Sequence, residues 1–195
     1  SLAAPNSFQR KDGIEAARSA SAARGWPVSF RCTGGDVTPQ GVGIANVTLS
    51  YALPAGQAPD IEATFDTLCA PVFKVLGPGT GYGFVDGAFC DGAYNITYRG
   101  LKFAGTAQRF RRCRADPDRI AVLSHAIFVL RLPRPEVFEA INNFLADLNE
   151  DRVILPHKHT GLPPQLSPDQ FLQSLWQGYL TRFCALERFD RRARP

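Results

Sequence analysis

The chain has 195 residues, of which 45% are hydrophobic and 21% are charged, as in globular proteins that bury a hydrophobic core. Its longest apolar stretch, residues 120–130, is about half the roughly 20 residues that a membrane-spanning helix needs, and the N-terminal residues lack the apolar region of a signal peptide. We therefore expect one domain over residues 1–195, located in the cytoplasm, without a membrane partner.

Charge and cysteine usage exclude further classes of protein. The net charge is +4, and arginines concentrate in residues 108–119 and 188–195, but neither cluster forms an aromatic-plus-basic nucleic-acid-binding motif. The five cysteines show no C-x-x-C spacing and are odd in number, which argues against a disulfide framework and a tetrahedral zinc site. We expect reduced thiols and no nucleic-acid partner.

The first half of the chain predicts two helices with two strands between them. An alanine-rich helix is expected over residues 13–24 and a strand over residues 27–32. After a glycine-rich loop, the alternating pattern of residues 46–53 predicts a second strand. Helical spacing then predicts a helix over residues 61–69, which Pro71 interrupts.

The second half begins with a hairpin. Two short strands within residues 94–105 are joined by a tight turn at Arg99 and Gly100. An apolar, β-rich run at residues 121–132 predicts a central strand of the same sheet. A helix over residues 134–150 follows, and its apolar residues share one face: Val137, Phe138, Ile141, Phe144, Leu145 and Leu148.

A last helix completes the predicted elements. Ser167 suits the N-cap and Pro168 the first helical position, which predicts a C-terminal helix over about residues 167–188. The sum is an α+β fold with a mixed, mostly antiparallel sheet covered by helices.

A glycine-rich loop follows the first of the predicted strands, with the sequence RCTGGDVTPQGVGIAN from Arg31 to Asn46. Paired glycines let backbone N–H groups approach an anionic or carbonyl group without side-chain obstruction. The loop matches neither standard phosphate-binding pattern, so a plain hairpin loop stays open as the alternative interpretation.

Cys90 differs from the other cysteines because it lies between glycines in a predicted loop, in GAFCDG. Cys69 and Cys184 instead fall in helical apolar patterns typical of small core residues. A thiol becomes a nucleophile when a nearby cation or helix N-terminus favours the thiolate. Asp91 opposes this effect, so activation of Cys90 has to come from elsewhere in the fold.

Lys102 is one of four lysines and would by default be a solvated residue at a strand edge. In the predicted hairpin Lys102 pairs near Thr97, whereas Cys90 is roughly 20 Å further along an extended strand at about 3.3 Å per residue. Cys90 and Lys102 therefore meet only if the Cys90 loop folds back.

The chain has three histidines. His157 and His159 have the i, i+2 spacing of a metal-binding pair, but no further cysteine, histidine or carboxylate cluster completes a site, so no metal is predicted. His125 lies in an apolar strand, where it is either a hydrogen-bonded core residue or a side chain beside a pocket.

Three stretches, in the same order, resemble the family of lipoate-protein ligases and octanoyl- or lipoyl-transferases, which shares its catalytic domain with biotin-protein ligases. RCTGGDVTPQGVGIANVTLSY is similar to the family's Arg-x-x-Gly-Gly-Gly loop and the strand after it, with Asp36 in place of the third glycine. GLKFAGTAQRFRR is similar to its Gly-x-Lys-x-x-Gly-x-x-Gln motif, and LSHAIFVL to the strand that follows. The resemblance implies a biotin/lipoate ligase-like catalytic domain.

GAFCDGAYNITYRGLKFAG most resembles the cysteine-dependent amidotransferase branch, in which a Cys-x-Gly-x-Tyr segment supplies the nucleophile shortly before the lysine. This resemblance implies that Cys90 takes the acyl chain as a thioester and that Lys102 holds the acyl carbonyl oxygen. It also implies a set of substrate-binding residues: Arg31, Gly34, Gly35, Asp36, Gly41, Asn46, Gly105, Gln108 and His125.

The resemblance leaves three functions open. The first is an acyltransferase that moves a lipoyl or octanoyl group onto a lysine of a lipoyl-acceptor protein through a thioester on Cys90. The second is an ATP-dependent lipoate-protein ligase, in which Lys102 holds lipoyl-AMP and Mg²⁺ accompanies the ATP. The third, favoured by Asp36, is a noncatalytic module that binds lipoyl or acyl groups.

The implied partners are proteins. The acceptor would be the glycine cleavage H protein or a lipoyl domain of a 2-oxoacid dehydrogenase E2 subunit, with acyl carrier protein as an acyl donor. Such acceptor domains are small and acidic, so the arginine-rich stretch from Arg109 to Arg119 is a candidate contact surface.

Overall fold

The computed structural model describes residues 1–56, 58–90 and 92–192, with side chains in the last helix up to residue 183. Within these residues the chain forms eight strands and four α-helices. The strands are β1 (Leu2–Pro5), β2 (Val28–Arg31), β3 (Thr38–Pro39), β4 (Ile44–Pro54), β5 (Thr80–Tyr82), β6 (Ile96–Tyr98), β7 (Leu101–Arg112) and β8 (Arg119–Val129). The helices are α1 (Ile14–Ala23), α2 (Ile61–Leu76), α3 (Pro135–Ala146) and α4 (Pro168–Arg192).

The strands form two sheets. The larger has five antiparallel strands in the order β4-β8-β7-β6-β5, and the smaller has the order β2-β1-β3, with β1 parallel to β2 and antiparallel to β3. The predicted α+β fold with a mostly antiparallel sheet is therefore confirmed. The division into two sheets was not predicted, because β1 and β3 have only four and two residues and show no readable alternation.

The large sheet buries a different apolar cluster on each face. On one face, Phe103 and Phe128 pack with Phe171 of α4 in a cluster that also includes α2. On the other face, a second cluster joins the small sheet, α1, α3 and the Cys90 loop. Phe103 of β7 packs in the first cluster, whereas its neighbour Lys102 bonds the Cys90 peptide oxygen on the other face.

The helix ends follow their sequence signals. Asp60 caps α2 by accepting from the Ala63 N–H at 3.0 Å, and α4 begins with a capping box in which Ser167 and Gln170 bond reciprocally. Pro71 lies within α2 without ending it, and Gly178 of α4 lets the two helices approach there, since a β-carbon on Gly178 would lie 2.9 Å from Pro71 Cβ.

The predicted hairpin turn is confirmed at Arg99 and Gly100. Both residues have positive φ, 53° and 78°, as a two-residue type I′ turn requires. Lys102 pairs with Thr97 across this hairpin, in the expected register, while β7 itself continues to Arg112, well beyond its predicted end. No helix within the described residues is long and apolar enough to cross a membrane.

Candidate active site

Cys90 lies in a strained backbone conformation between β5 and β6. Its φ is 55°, a left-handed value that residues with a side chain seldom adopt, and only 4% of the residue is exposed. Such strain persists only where the surrounding structure fixes it, and it is concentrated at functional sites.

Lys102 and Asn95 hold the peptide oxygen of Cys90. The Lys102 Nζ and the Asn95 Nδ2 each donate to this oxygen at 2.5 Å, and Asn95 Oδ1 in turn accepts from the Thr106 N–H at 3.1 Å. Lys102 is only 1% exposed. The Cys90 loop thus folds back over β7 and brings the two predicted catalytic residues together.

The thiol of Cys90 sits between two glycines. A β-carbon built on Gly105 would lie 3.2 Å from Cys90 Sγ and 3.2 Å from Ile127 Cγ2, and one built on Gly35 would lie 2.8 Å from the same sulfur. A cavity with about 20 Å³ of free volume opens beside the sulfur, and ten residues line it: Arg31, Gly34, Thr38, Gln40, Cys90, Gly105, Thr106, Ala107, His125 and Ile127. Four of the predicted substrate-binding residues are among them.

We expect Gly105→Ala to lower stability by about 1–3 kcal/mol, because its methyl group overpacks the contact between Cys90 and Ile127. It should also slow alkylation of Cys90 by iodoacetamide. Gly34→Ala is the matched control, since a β-carbon there meets nothing within 4 Å. Thermal melting and peptide mass spectrometry measure both effects, and equal behaviour of the two variants would contradict the geometry.

Arg31 organises the glycine loop from inside. Its guanidinium donates to the carbonyl oxygens of Ala3 at 2.8 Å, Gly34 at 3.2 Å and Asp36 at 2.5 Å. Burial lowers the pKa of Arg31, while negative charge at Cys90 and Asp36 works against that shift. The guanidinium and the sulfur both border Gly35, since a β-carbon built there would lie 3.2 Å from Arg31 Nη2 and 2.8 Å from Cys90 Sγ.

Asp36 lies behind the loop rather than in the cavity wall. It is 3% exposed, its Oδ1 accepts from the Val37 N–H at 2.5 Å, and it forms an ion pair with Arg152. Burial raises the pKa of the Asp36 carboxyl, with the Arg152 charge opposing. The substitution for glycine thus places a structural carboxylate here, which ties the loop to the residues after α3.

His125 lines the cavity on β8. Its Nδ1 lies 2.8 Å from the Thr48 hydroxyl on the neighbouring strand β4. Burial lowers the pKa of His125, and the positive charge of Arg31 lowers it further. The imidazole is therefore held as the neutral form beside the thiol.

Three predicted residues lie away from the thiol cavity. Gly41 is exposed, and the Asn46 side chain donates to Gln40 Oε1 at 2.7 Å at the rim. Gln108 Oε1 accepts from the Thr64 hydroxyl of α2 at 2.8 Å, on the opposite face of the sheet. Strand alternation is the reason: Gly105 and Gln108 are three positions apart on β7 and so face opposite sides.

The histidine pair does not converge on a common point. His157 is exposed, whereas His159 is buried against Phe89 with ring centroids 4.4 Å apart. In the part of the chain that the structure describes, no group of three or more His, Cys, Asp or Glu side chains could hold a metal ion. Asp91 and the side chain of Cys184 lie outside the described residues.

Residues 8–153 match the sequence profile of the lipoyl protein ligase A/B catalytic domain. The chain belongs to this family. It is 34% identical over 164 residues to an uncharacterized protein of Cupriavidus necator, a match that covers 78% of this chain and 65% of that protein. It is 32% identical over 144 residues to an octanoyl-[GcvH]:protein N-octanoyltransferase of Kyrpidia tusciae, covering 71% of this chain and 49% of that protein. The chain thus spans about half to two thirds of these relatives.

Solved structures of the lipoyl ligase family share the fold. Protein Ta0514 of T. acidophilum with bound lipoic acid superposes with a TM-score of 0.63 at 15% identity, over 91% of this chain and 66% of that one. A lipoate-protein ligase A bound with ATP gives a TM-score of 0.62 at 17% identity, over 92% and 67%. At these identities the likeness establishes the fold alone.

Proposed function

We propose that the chain is an acyltransferase that moves an octanoyl or lipoyl group onto a lysine of a lipoyl-acceptor protein through a thioester on Cys90. The observation that carries this proposal is the Cys90 turn. A nucleophile-type residue is held in a left-handed conformation, its sulfur borders a cavity, and a buried lysine bonds its peptide oxygen. The similarity to an octanoyl-[GcvH]:protein N-octanoyltransferase supports octanoyl transfer as the reaction class.

The reaction has two displacement steps. The Cys90 thiol loses its proton, and the thiolate attacks the carbonyl carbon of an incoming acyl thioester. The donor's C–S bond breaks, and the donor leaves as a thiolate that takes up the proton released by Cys90. The neutral amine of the acceptor lysine then attacks the acyl-enzyme, an amide forms, and the Cys90 thiol is regenerated. No ATP is consumed, because the thioester is already activated.

Three charged or polar side chains support these steps. Lys102 lies at the Cys90 peptide oxygen, and Arg31 lies near the Cys90 sulfur. In the proposed mechanism both positive charges stabilise the negative charge that develops in each tetrahedral intermediate. The neutral imidazole of His125 lines the same cavity and is the candidate acceptor for the proton that the amine releases.

The acyl chain needs more room than the cavity now offers. A free volume of about 20 Å³ holds little more than one water molecule. Gly34 and Gly35 are exposed and border the cavity and the thiol, so displacement of this loop widens the cavity. The loop's glycines permit that change without side-chain clashes.

Arginines extend from the cavity along β7 toward the candidate acceptor surface. Ala107 lines the cavity, and Arg109 and Arg111 follow on the same face of the strand, both exposed. Arg109 Nη1 donates to the Cys32 carbonyl at 3.3 Å, which places it beside the glycine loop. An acidic acceptor domain, such as the GcvH protein or an E2 lipoyl domain, would bring its lysine to Cys90 over this surface.

We expect the double variant R109E/R111E to raise the KM for the acceptor about tenfold at low salt, with a smaller effect at high salt. Acylation of Cys90 by a small thioester should not change. K74E/R182E is the control, because it makes the same charge change at α2 and α4 on the other face of the sheet. Steady-state kinetics at two ionic strengths measure the difference, and an unchanged KM would remove this surface from the proposal.

Intact-protein mass spectrometry tests the proposed function. The protein is incubated with octanoyl-acyl carrier protein and, separately, with octanoate or lipoate plus ATP and Mg²⁺. A hydroxylamine-sensitive octanoyl adduct from the thioester donor supports the transferase, and Cys32→Ala, which removes an exposed thiol, should keep it. Modification of an acceptor only with ATP would make the chain a ligase, and ligand binding without turnover would make it a binding module.

A further inference from the structure

One segment after α3 contacts three parts of the candidate site. We call residues 152–160 the clamp segment. Its Arg152 pairs with Asp36 of the glycine loop, its Leu155 N–H donates to the Gly87 carbonyl at 2.8 Å, and its Thr160 N–H donates to the Lys102 carbonyl at 2.9 Å. The clamp segment therefore joins the glycine-rich loop, the Cys90 loop and β7.

His159 links the clamp segment to the residue before Cys90. Its Nε2 accepts from the Phe89 N–H at 3.2 Å, and its Nδ1 lies 3.0 Å from the Leu155 carbonyl oxygen. A carbonyl only accepts and an N–H only donates, so the imidazole is fixed as the neutral tautomer protonated at Nδ1. Stacking on Phe89 and contact with Phe138 hold the ring, which is 3% exposed.

We propose that His159 is a positioning residue for Cys90: its neutral imidazole fixes the Phe89 amide and thereby sets the left-handed turn that presents the thiol. The inference rests on the proposed role of Cys90 as nucleophile. It adds a residue that lies beyond residues 8–153, the part matched by the family profile. Lys102 holds the peptide on the other side of Cys90, so the two residues fix the turn from both ends.

The electrostatic surroundings agree with this assignment. The pKa of His159 is lowered to about 4, mainly by burial, and the positive charges of Lys102 and His157 act in the same direction. The Leu155 and Pro156 backbone groups act in the opposite direction. The imidazole thus stays neutral, and Nε2 stays an acceptor, across the pH range in which acyl transfer is assayed.

Two substitutions separate the two hydrogen bonds of His159. His159→Gln keeps an oxygen acceptor near the position of Nε2, whereas His159→Asn keeps a donor near Nδ1 and leaves the buried Phe89 N–H without its acceptor. We expect H159N to slow Cys90 acylation about 10- to 100-fold through kcat, with KM for the thioester nearly unchanged. H159Q should recover most of the rate.

Phe144→Leu is the control for stability alone, because Phe144 is buried in the same apolar cluster but its ring packs against Phe8 rather than against His159. It should lower the melting temperature while leaving the acylation rate in place. If the rates of H159N, H159Q and F144L simply follow their melting temperatures, His159 is structural and the proposal is overturned. Iodoacetamide alkylation of Cys90, located by peptide mass spectrometry, gives the same comparison even if Cys90 forms no thioester.

¹⁵N NMR of wild-type histidines tests the proposal without any variant. The His159 imidazole should be neutral and protonated at Nδ1 at pH 7, and should stay so as the pH falls to about 5. A cationic ring, or a proton on Nε2, would break the bond to Phe89 and overturn the proposal. This outcome is independent of whether the chain proves to be a transferase.

Discussion

Cys90→Ala is expected to lower the rate of acyl transfer by about a thousandfold or more, because it removes the nucleophile of the proposed covalent step. The fold should persist, since alanine occupies less space than cysteine and the hydrogen bonds to the residue 90 peptide oxygen come from Lys102 and Asn95. Single-turnover transfer from octanoyl-acyl carrier protein to an acceptor domain measures the loss. The adduct expected with wild type should be absent from this variant.

Cys69→Ala is the informative comparison for Cys90→Ala. Cys69 is fully buried in α2, and burial raises the pKa of its thiol to about 12, so it holds little thiolate at neutral pH. We expect C69A to lose stability but to keep transfer activity per folded molecule. If C90A retained its activity while C69A lost it, the proposed nucleophile would be wrong.

The fold could be predicted largely from local patterns. The hairpin turn at Arg99 and Gly100 carries its own backbone preference, and it fixes the register that places Lys102 opposite Thr97. The strands β4, β7 and β8 of the five-stranded sheet follow from alternating or apolar runs, whereas β5 has three residues within a glycine-rich stretch that predicts a flexible connector. The small sheet could not be predicted, because its short strands are held by contacts distant in sequence rather than by their own pattern.

The residues of the candidate site could be predicted only where they belong to a recognisable sequence motif. Spacing alone placed Cys90 far from Lys102, and the loop that closes this gap is held by Asn95, which no sequence pattern singled out. In the sequence, His159 stands out only through its spacing from His157, whereas its structural role depends on Phe89 and Leu155. A buried histidine in an irregular loop has no periodic signature, so its contacts appear only in three dimensions.

Lys102→Met is expected to lower the rate of acyl transfer about 10²- to 10³-fold, the effect of removing one preorganised donor to a developing oxyanion. Methionine has a similar length, so it can occupy the fully buried space of Lys102 without its charge. Removal of the buried ammonium also removes its desolvation cost, which offsets the lost bond to Cys90. We therefore expect the melting temperature to change little while the rate falls.

Lys74→Met is the matched control for K102M. Lys74 is exposed on α2, on the other face of the sheet, so K74M removes the same charge without touching Cys90. Rapid-quench measurement of Cys90 acylation and of the later transfer step separates the two roles of Lys102. A slower rate in both steps would mean that Lys102 stabilises the oxyanion, because an oxyanion forms once in each step. A loss in neither step, with K102M folded, would mean that Lys102 only supports the Cys90 loop, and the electrostatic part of the mechanism would then belong to Arg31.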